Sequence, residues 1–140
     1  MEETNYTSSS NITKDSDSEI VTLEIMKGII NDMIIDPKKL QTGFSLFSKI
    51  EFCKGFYITL LHMVLDKSSS RSEIRLAASV LLNFLRKNWS DDNYIGLEEK
   101  MEVFGTLTTN IHHDDYFLSH FIAKLLGLIS AKEWPNSYEV

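Results

Sequence analysis

The chain has 140 residues, of which 43% are hydrophobic, and it carries a formal net charge of −6 with a pI of about 5.1. This size and composition suit one buried core and exclude a wholly disordered chain. The acidic balance excludes a general nucleic-acid binder, which needs a broad basic surface, and no apolar run approaches the roughly 20 residues needed to span a bilayer.

The first 18 residues differ in composition from the rest of the chain. They are rich in Ser, Thr, Asn and acidic residues, and they offer almost no large side chain to bury. We therefore predict a flexible acidic tail over residues 1–18 and a folded domain over residues 19–140. Cys53 is the only cysteine, which excludes an intrachain disulfide and a cysteine-based zinc site.

Apolar residues recur at helical spacing from residue 20 onward, and the interruptions predict six helices. Asp36-Pro37 ends helix one and starts helix two, because Asp is a good N-cap and Pro fits the first helical position. Gly55 marks the turn before helix three, and Ser72 is the expected N-cap of helix four.

The predicted ends are Glu51 for helix two, Asp66 for helix three, Trp89 for helix four and Pro135 for helix six, which follows an Asp114-Asp115 cap. The predicted apolar stripes include Ile20, Leu23, Met26, Ile30 and Ile34 in helix one, and Met101, Phe104, Leu107 and Ile111 in helix five.

Helix four carries a narrow polar strip beside a wide apolar arc. At about 100° per residue, the polar residues fall within about 120° of arc, and the rest of the helix is apolar. An apolar arc this wide predicts packing on two or more neighbouring helices. The residues of the polar strip are Arg75, Ser79, Asn83, Arg86, Lys87 and Ser90.

The odd-numbered helices begin near residues 20, 55 and 97, and each is followed by an antiparallel partner after a short loop. This period is typical of helical-pair solenoids of the HEAT or armadillo kind. Strand signals are nearly absent. The predicted fold is therefore all-α, a right-handed α-α superhelix of about three helical pairs.

Residues 20 to 139 resemble the N-terminal HEAT-repeat domain of importin-beta-type nuclear transport receptors (karyopherins). The most specific match is the Arg-x-x-Ala run in helix four and the basic, Trp-ended segment that follows it. The matching segments are Ile50-Glu51 with Gly55-Phe56, Ile74-Arg-Leu-Ala-Ala78 with Asn83, Leu85, Arg86 and Trp89, then Glu98-Glu99-Lys100, and finally Ala131-Lys-Glu-Trp-Pro135.

The resemblance implies a function in binding. In the family, the second helix of each pair lines an inner face that binds the small GTPase Ran in its GTP form. By resemblance, helix four supplies Arg75, Asn83, Arg86 and Lys87 to that face. Longer receptors of this family also bind protein cargo and nuclear pore proteins, so the resemblance implies shuttling between nucleus and cytoplasm.

Another interpretation of these residues remains open. The polar strip is equally the pattern of a solvated helix face, in which case the chain is a HEAT or armadillo adaptor without a GTPase partner. Weaker candidates for the partner face are Lys38 and Lys39 on helix two and His120 and Lys124 on helix six, which are also ordinary surface residues.

The hypothesis that the chain is an enzyme depends on one cluster, His112-His113-Asp114-Asp115. A His-Asp pair is found in metal-dependent hydrolases, but such a site needs further ligands from other helices. Capping of helix six by Asp114 or Asp115, with the histidines closing helix five, explains the same residues. No phosphate loop or nucleophile elbow is present. The sequence thus predicts a binding protein without metal, cofactor or catalytic residues.

Overall fold

A computed structural model describes the backbone of residues 20–137 and the side chains of residues 20–133. The tail predicted at residues 1–18 lies outside the described residues. Six α-helices follow one another: α1 (Leu23–Ile35), α2 (Leu40–Ile50), α3 (Phe56–Leu65), α4 (Arg71–Asn88), α5 (Leu97–Thr109) and α6 (Tyr116–Ser137), with a 3-10 helix at Pro37–Lys39.

The prediction of an all-α chain with six helices is confirmed within the described residues. Their only β feature is an isolated bridge between Ile20 and Lys54. None of the helices in this part of the chain has the length and apolar character needed to cross a membrane.

The six helices pack against one another around α3 and α4. α3 contacts α1, α4 and α5, and its contact with α4 is the most extensive in the fold. α4 also contacts α1 and α6, while α1 contacts α2 and α5 contacts α6. Because α4 contacts α1, α3 and α6, its wide apolar arc is covered on several sides, as the sequence predicted.

Contacts at their ends show that α1 and α3 run in the same direction. Before α1, the Val21 carbonyl accepts a hydrogen bond from the Thr59 hydroxyl in α3 at 3.1 Å. Further along, the Lys27 ammonium pairs with Asp66 at the end of α3 at 2.7 Å. The later residue of α1 contacts the later residue of α3, so the two helices lie side by side and run in parallel.

The same reasoning applies to α4 and α6. Arg71 at the start of α4 pairs with Asp115, just before α6, at 3.3 Å. Trp89 at the end of α4 donates its indole N–H to Glu133, late in α6, at 2.7 Å. α4 and α6 therefore also run in the same direction.

An aromatic cluster joins α2, α3 and α4 in the core. The ring of Phe47 lies 6.0 Å from that of Phe56 and 6.4 Å from that of Phe84, and the last two rings are 5.4 Å apart. All three pairs meet edge to face, the geometry that the ring quadrupoles favour. This cluster fixes α2 beside α4 although the two helices are separated by α3 in sequence.

Glu99 caps a helix other than its own. Gly55, the residue before α3, has φ of 88°, a left-handed conformation that favours glycine, and it offers no side chain to cap the helix. The Glu99 carboxylate, from the first turn of α5, instead accepts hydrogen bonds from the backbone N–H groups of Gly55, Tyr57 and Ile58 at 3.0, 2.9 and 3.1 Å. A buried carboxylate thus satisfies donors that α3 cannot satisfy internally, and it joins α3 to α5.

Two predicted helix boundaries are wrong. The N-cap of α4 is Ser70 and not Ser72, because Ser70 and Glu73 form a reciprocal capping box that starts the helix two residues earlier. Helix α6 does not end at Pro135 but continues to Ser137. Near the end of a helix, proline removes only one backbone hydrogen bond, so the last turn can pass through it.

The apolar residues whose spacing predicted helix five are mostly not the residues that α5 buries. Glu99, Val103 and Leu107 are the buried residues of this helix. Of the predicted set only Leu107 is buried, and Met101, Phe104 and Ile111 are exposed. The apolar residues of α5 span one wide arc, and the other helices cover only part of it.

Candidate functional site

The polar strip of α4 is exposed along its whole length. Arg75, Ser79, Asn83, Arg86, Lys87 and Ser90 are all solvent-exposed. The opposite arc is buried, with Ala77, Ala78, Val80, Leu81, Phe84 and Leu85 among its residues. The division of α4 predicted from sequence is therefore confirmed, and the strip is a surface of the folded chain.

Arg75 lies at the α6 side of the strip. Its guanidinium carbon is 5.8 Å from the centroid of the Phe117 ring on α6, a cation–π contact. Such a contact holds the planar guanidinium over the ring and leaves its N–H groups able to donate to another molecule.

Lys87 has partners within the chain. Its ammonium nitrogen is 3.4 Å from a carboxylate oxygen of Glu51 and 4.9 Å from the Phe84 ring. The Lys87 side chain is 58% exposed, whereas the Glu51 side chain is only 9% exposed. Lys87 therefore balances a buried charge, and its own charge is only partly available to an external partner.

Asn83 and Arg86 differ from Arg75 and Lys87 in having no side-chain partner within the part of the chain that the structure describes. Both are exposed, and neither side chain has a hydrogen-bond or ion-pair partner among the described residues. An exposed Arg offers a fork of donors, and an exposed Asn offers a donor and an acceptor for a partner's main chain. Of the four candidate residues, these two are therefore the most available to a partner.

A buried polar network that the sequence pattern did not predict supports the end of the strip. The Asn88 amide nitrogen donates to Glu51 at 2.8 Å and to the Tyr57 hydroxyl at 2.7 Å. Burial raises the pKa of the Tyr57 phenol well above its ordinary value, so the hydroxyl stays protonated. Asn88 lies on the apolar arc of α4, and a polar residue in that position was the available signal for a buried network.

Charge is unevenly divided between the helices. The even-numbered helices, which contribute the strip, carry seven cationic side chains against two acidic ones, while the odd-numbered helices carry two cationic against five acidic ones. In a chain of net charge −6, α2, α4 and α6 thus form a cationic subset. Its members are Lys49, Arg71, Arg75, Arg86, Lys87, Lys124 and Lys132, against Glu73 and Glu133.

The weaker candidates occupy separate positions. Lys38 and Lys39 lie in the 3-10 helix before α2, and both are exposed. Lys124 is exposed on α6, as is His120, whose ring is 5.1 Å from that of Tyr116. No hydrogen bond or ion pair joins any of these four side chains to the polar strip within the described residues.

The His-Asp cluster caps a helix. Asp115 accepts a hydrogen bond from the Leu118 backbone N–H at 3.2 Å, and this bond together with the Arg71 side chain lowers the pKa of the Asp115 carboxyl. His113 Nδ1 accepts from the backbone N–H of Asp115 at 3.0 Å, and the His113 backbone N–H donates to the carbonyl of Asn110, the C-cap of α5, at 3.1 Å, so His113 links the end of α5 to the start of α6. Within the described residues, no group of three or more His, Cys, Asp or Glu side chains is placed to hold a metal ion.

Comparison with protein-family models, with curated proteins and with solved structures finds no match to this chain.

Proposed function

We propose that the chain is a receptor domain of the nuclear transport type, whose helices form three antiparallel pairs of a right-handed HEAT-type superhelix. In this proposal the even-numbered helices line the inner face, and the polar strip of α4 binds the GTP form of Ran. The domain acts by binding, without catalysis, cofactor or metal. As part of a longer receptor it would also bind cargo and nuclear pore proteins and shuttle between nucleus and cytoplasm.

The observation that carries the proposal is that the polar strip lies on the middle even-numbered helix and is exposed to solvent. α4 contacts α6 and, through the Phe47–Phe84 ring pair, α2, so it is the middle even-numbered helix. Its strip is exposed, and Asn83 and Arg86 are free of intramolecular side-chain partners among the described residues. The parallel directions of α1 with α3 and of α4 with α6 are those expected of stacked helical pairs.

The direct experiment is binding of the chain to purified Ran loaded with either GTP or GDP. We expect measurable affinity for the GTP form and at least about tenfold weaker affinity for the GDP form, because the receptor must distinguish the two states by differential contacts. Equal affinity for both forms, or none for either with a folded chain, would contradict the proposal.

A matched pair of variants tests the assigned surface. Asn83→Ala combined with Arg86→Glu removes the two uncommitted side chains and should weaken binding by about tenfold or more. Lys67→Glu makes the same change in net charge as Arg86→Glu, at an exposed position in the loop before α4, and should have little effect. Lys87 is left intact because its loss would leave the buried Glu51 without its ion-pair partner.

One observation favours a second function, a protein-binding adaptor without GTPase specificity. Arg75 and Lys87 both have partners within the chain, on Phe117 and on Glu51, as expected of residues that stabilise the helical stack. An adaptor of this kind would select acidic partners through the even-numbered helices, and it would not distinguish GTP-loaded from GDP-loaded Ran.

A further inference from the structure

Residues 1–19 join the folded domain beside the turn between α2 and α3. The Val21 backbone N–H donates a hydrogen bond to the carbonyl of Lys54 at 3.1 Å, and Ile20 forms an isolated bridge with the same residue. Lys54 lies between the end of α2 and the start of α3. The N-terminal segment, as we call residues 1–19, therefore leaves the fold at this turn.

The end of α4 lies at the same turn. The Lys87 ammonium is 3.4 Å from a carboxylate oxygen of Glu51, the residue that follows α2. The Asn88 amide donates to the hydroxyl of Tyr57, in the first turn of α3, at 2.7 Å. The last part of the polar strip, with Arg86 and Lys87, is thus at the end of the fold from which the N-terminal segment emerges.

Exposed cations are grouped near this junction. Four cationic side chains at this end of the fold are exposed to solvent, whereas Glu51 beside them is buried. We call the four side chains the exit patch: Lys49, Lys54, Arg86 and Lys87. Since Glu51 offsets only one of the four charges, the exit patch keeps an excess of positive charge in a chain whose net charge is −6.

The acidic residues that follow α4 do not neutralise the exit patch. Asp91 accepts a hydrogen bond from the Asn93 backbone N–H at 3.0 Å, and Asp92 pairs with Lys100 in α5 at 3.2 Å. Both carboxylates thus have partners in the loop before α5 or in α5 itself. Among the described residues, neither forms an ion pair with a cation of the exit patch.

The N-terminal segment has the opposite charge and sufficient length. It contains five acidic residues and one basic residue, and three of the acids stand within five residues of Ile20: Asp15, Asp17 and Glu19. A 19-residue chain without secondary structure spans about 25 Å on average. The 18 residues of α4 rise about 27 Å. The acids next to the junction can therefore reach the exit patch without displacing any helix.

We propose that the N-terminal segment binds in cis to the exit patch, with its last three acidic residues beside the exposed cations. Each ion pair is exposed and weak, but the covalent link gives the segment a local concentration in the millimolar range. The contact covers Arg86, so an acidic partner of the polar strip must displace the segment. Neither the contact nor its test requires Ran, and the contact can form whether or not the chain binds a GTPase.

Paramagnetic relaxation enhancement in the full chain measures the contact. A nitroxide on Ser10→Cys labels the segment, because Cys53 is only 4% exposed and is protected from the reagent. We expect broadening of the amide signals of Lys54 and Arg86. The broadening should fall at least twofold in an amide variant, in which the three acids next to the junction are replaced by Asn or Gln. Broadening that this variant leaves unchanged would come from the covalent link alone and would overturn the contact.

Matched triple variants test the surface. The patch variant replaces three exposed cations of the exit patch, and the control replaces three exposed lysines elsewhere with the same change in net charge. The patch variant should reduce the broadening at least twofold, and the control should retain it; circular dichroism shows that both are folded. The patch variant is Lys49→Gln, Lys54→Gln and Arg86→Gln, and the control is Lys38→Gln, Lys39→Gln and Lys124→Gln. Equal losses in the two would refute the exit patch as the binding surface.

Competition with a free peptide tests whether the exit patch is occupied. A synthetic peptide of residues 1–19 should bind the amide variant at least about threefold more tightly than it binds the parent chain, because the parent's own segment occupies the surface. Chemical-shift titration at low salt measures both affinities. Equal affinities, or no binding of the peptide to the amide variant, would overturn binding in cis.

Discussion

Glu99 and Glu51 are buried carboxylates that connect helices distant in sequence. Each is nearly excluded from solvent, at 9% and 7% exposure, and each accepts hydrogen bonds from another helix or its first turn. A buried carboxylate is stable only when its oxygens are hydrogen-bonded, so these contacts fix how the helices meet.

Glu99→Ala should lower the free energy of unfolding by about 2 to 3 kcal/mol, because backbone donors at the start of α3 lose a charged acceptor in a buried site. Glu98→Ala is the control, since its side chain is exposed on the same turn, and it should change stability by less than about 0.5 kcal/mol. Urea denaturation followed by circular dichroism measures both. Equal stabilities of the two variants would contradict the capping role of Glu99.

Two asparagines on α4 have different roles: Asn88 stabilises the buried network, and Asn83 lies on the surface. Asn88→Ala should destabilise the fold by about 2 kcal/mol, because the buried Glu51 and Tyr57 lose their shared donor. Asn83→Ala should leave stability within about 0.5 kcal/mol of the parent chain, because Asn83 is exposed. Thermal or urea unfolding of the two variants gives the comparison, and a similar loss in both would refute the distinction.

Asp66 should make the folding stability depend on pH under acidic conditions. The Lys27 ammonium, and then the Ser68 N–H and hydroxyl, lower the pKa of Asp66 from 3.8 to about 2. A carboxyl with a lowered folded-state pKa stabilises the fold above its unfolded pKa, and this contribution is lost as the pH falls from about 4 through about 2.

An NMR titration of the Asp66 carboxyl carbon measures this pKa directly. With Lys27→Met the midpoint should rise toward the ordinary value, although the bonds from Ser68 remain. Lys49→Met removes an exposed lysine elsewhere and should leave the midpoint near 2. A titration unaffected by Lys27→Met would show that this ion pair is not the main cause.

At the level of elements, Gly43 lies at the contact between α1 and α2. A Cβ built at Gly43 would overlap the Sδ and Cγ atoms of Met33, so the two helices meet where α2 has no side chain. Gly28, on the exposed side of α1, would place a Cβ in open space. The two glycines therefore respond oppositely to the same substitution.

Gly43→Ala should destabilise the chain by about 1 to 3 kcal/mol through overpacking, although alanine is the better helix former. Gly28→Ala should stabilise it by up to about 1 kcal/mol, since only helix propensity changes. Adding Met33→Ala to Gly43→Ala should relieve the overlap, and a double-mutant cycle of unfolding free energies measures this coupling. Additive effects would contradict direct contact between the two side chains.

For the whole molecule, the division of charge between even-numbered and odd-numbered helices matters more than the net charge. A chain of net charge −6 would repel an acidic partner at long range, but the cationic even-numbered helices present the opposite sign locally. On the proposed function, association with Ran through these helices should be steered electrostatically.

The association rate should fall by about tenfold between about 50 and 300 mM NaCl, because salt screens charges separated by more than a Debye length. The variant that combines Asn83→Ala with Arg86→Glu should show a shallower dependence. Stopped-flow measurement at several salt concentrations gives both slopes, and a rate independent of salt would show that these cations do not steer the encounter.

The sequence by itself determined the six helices and the exposed strip of α4. The helical spacing of apolar residues and the helix-boundary residues at Asp36-Pro37 and Gly55 are local properties of the sequence. They can therefore be recognised without knowing which helices pack together. The division of α4 into strip and arc followed from the same periodicity, because only one arc of that helix was apolar.

Only the tertiary structure decided which arc of α5 is buried and which strip residues have partners. The apolar arc of α5 is wide, and periodicity cannot say which part of it a neighbouring helix will cover. The cap that Glu99 provides for α3 and the pairing of Lys87 with Glu51 join residues more than 30 positions apart. Burial and charge pairing of this kind depend on which helices become neighbours in space, and that is a property of the assembled fold.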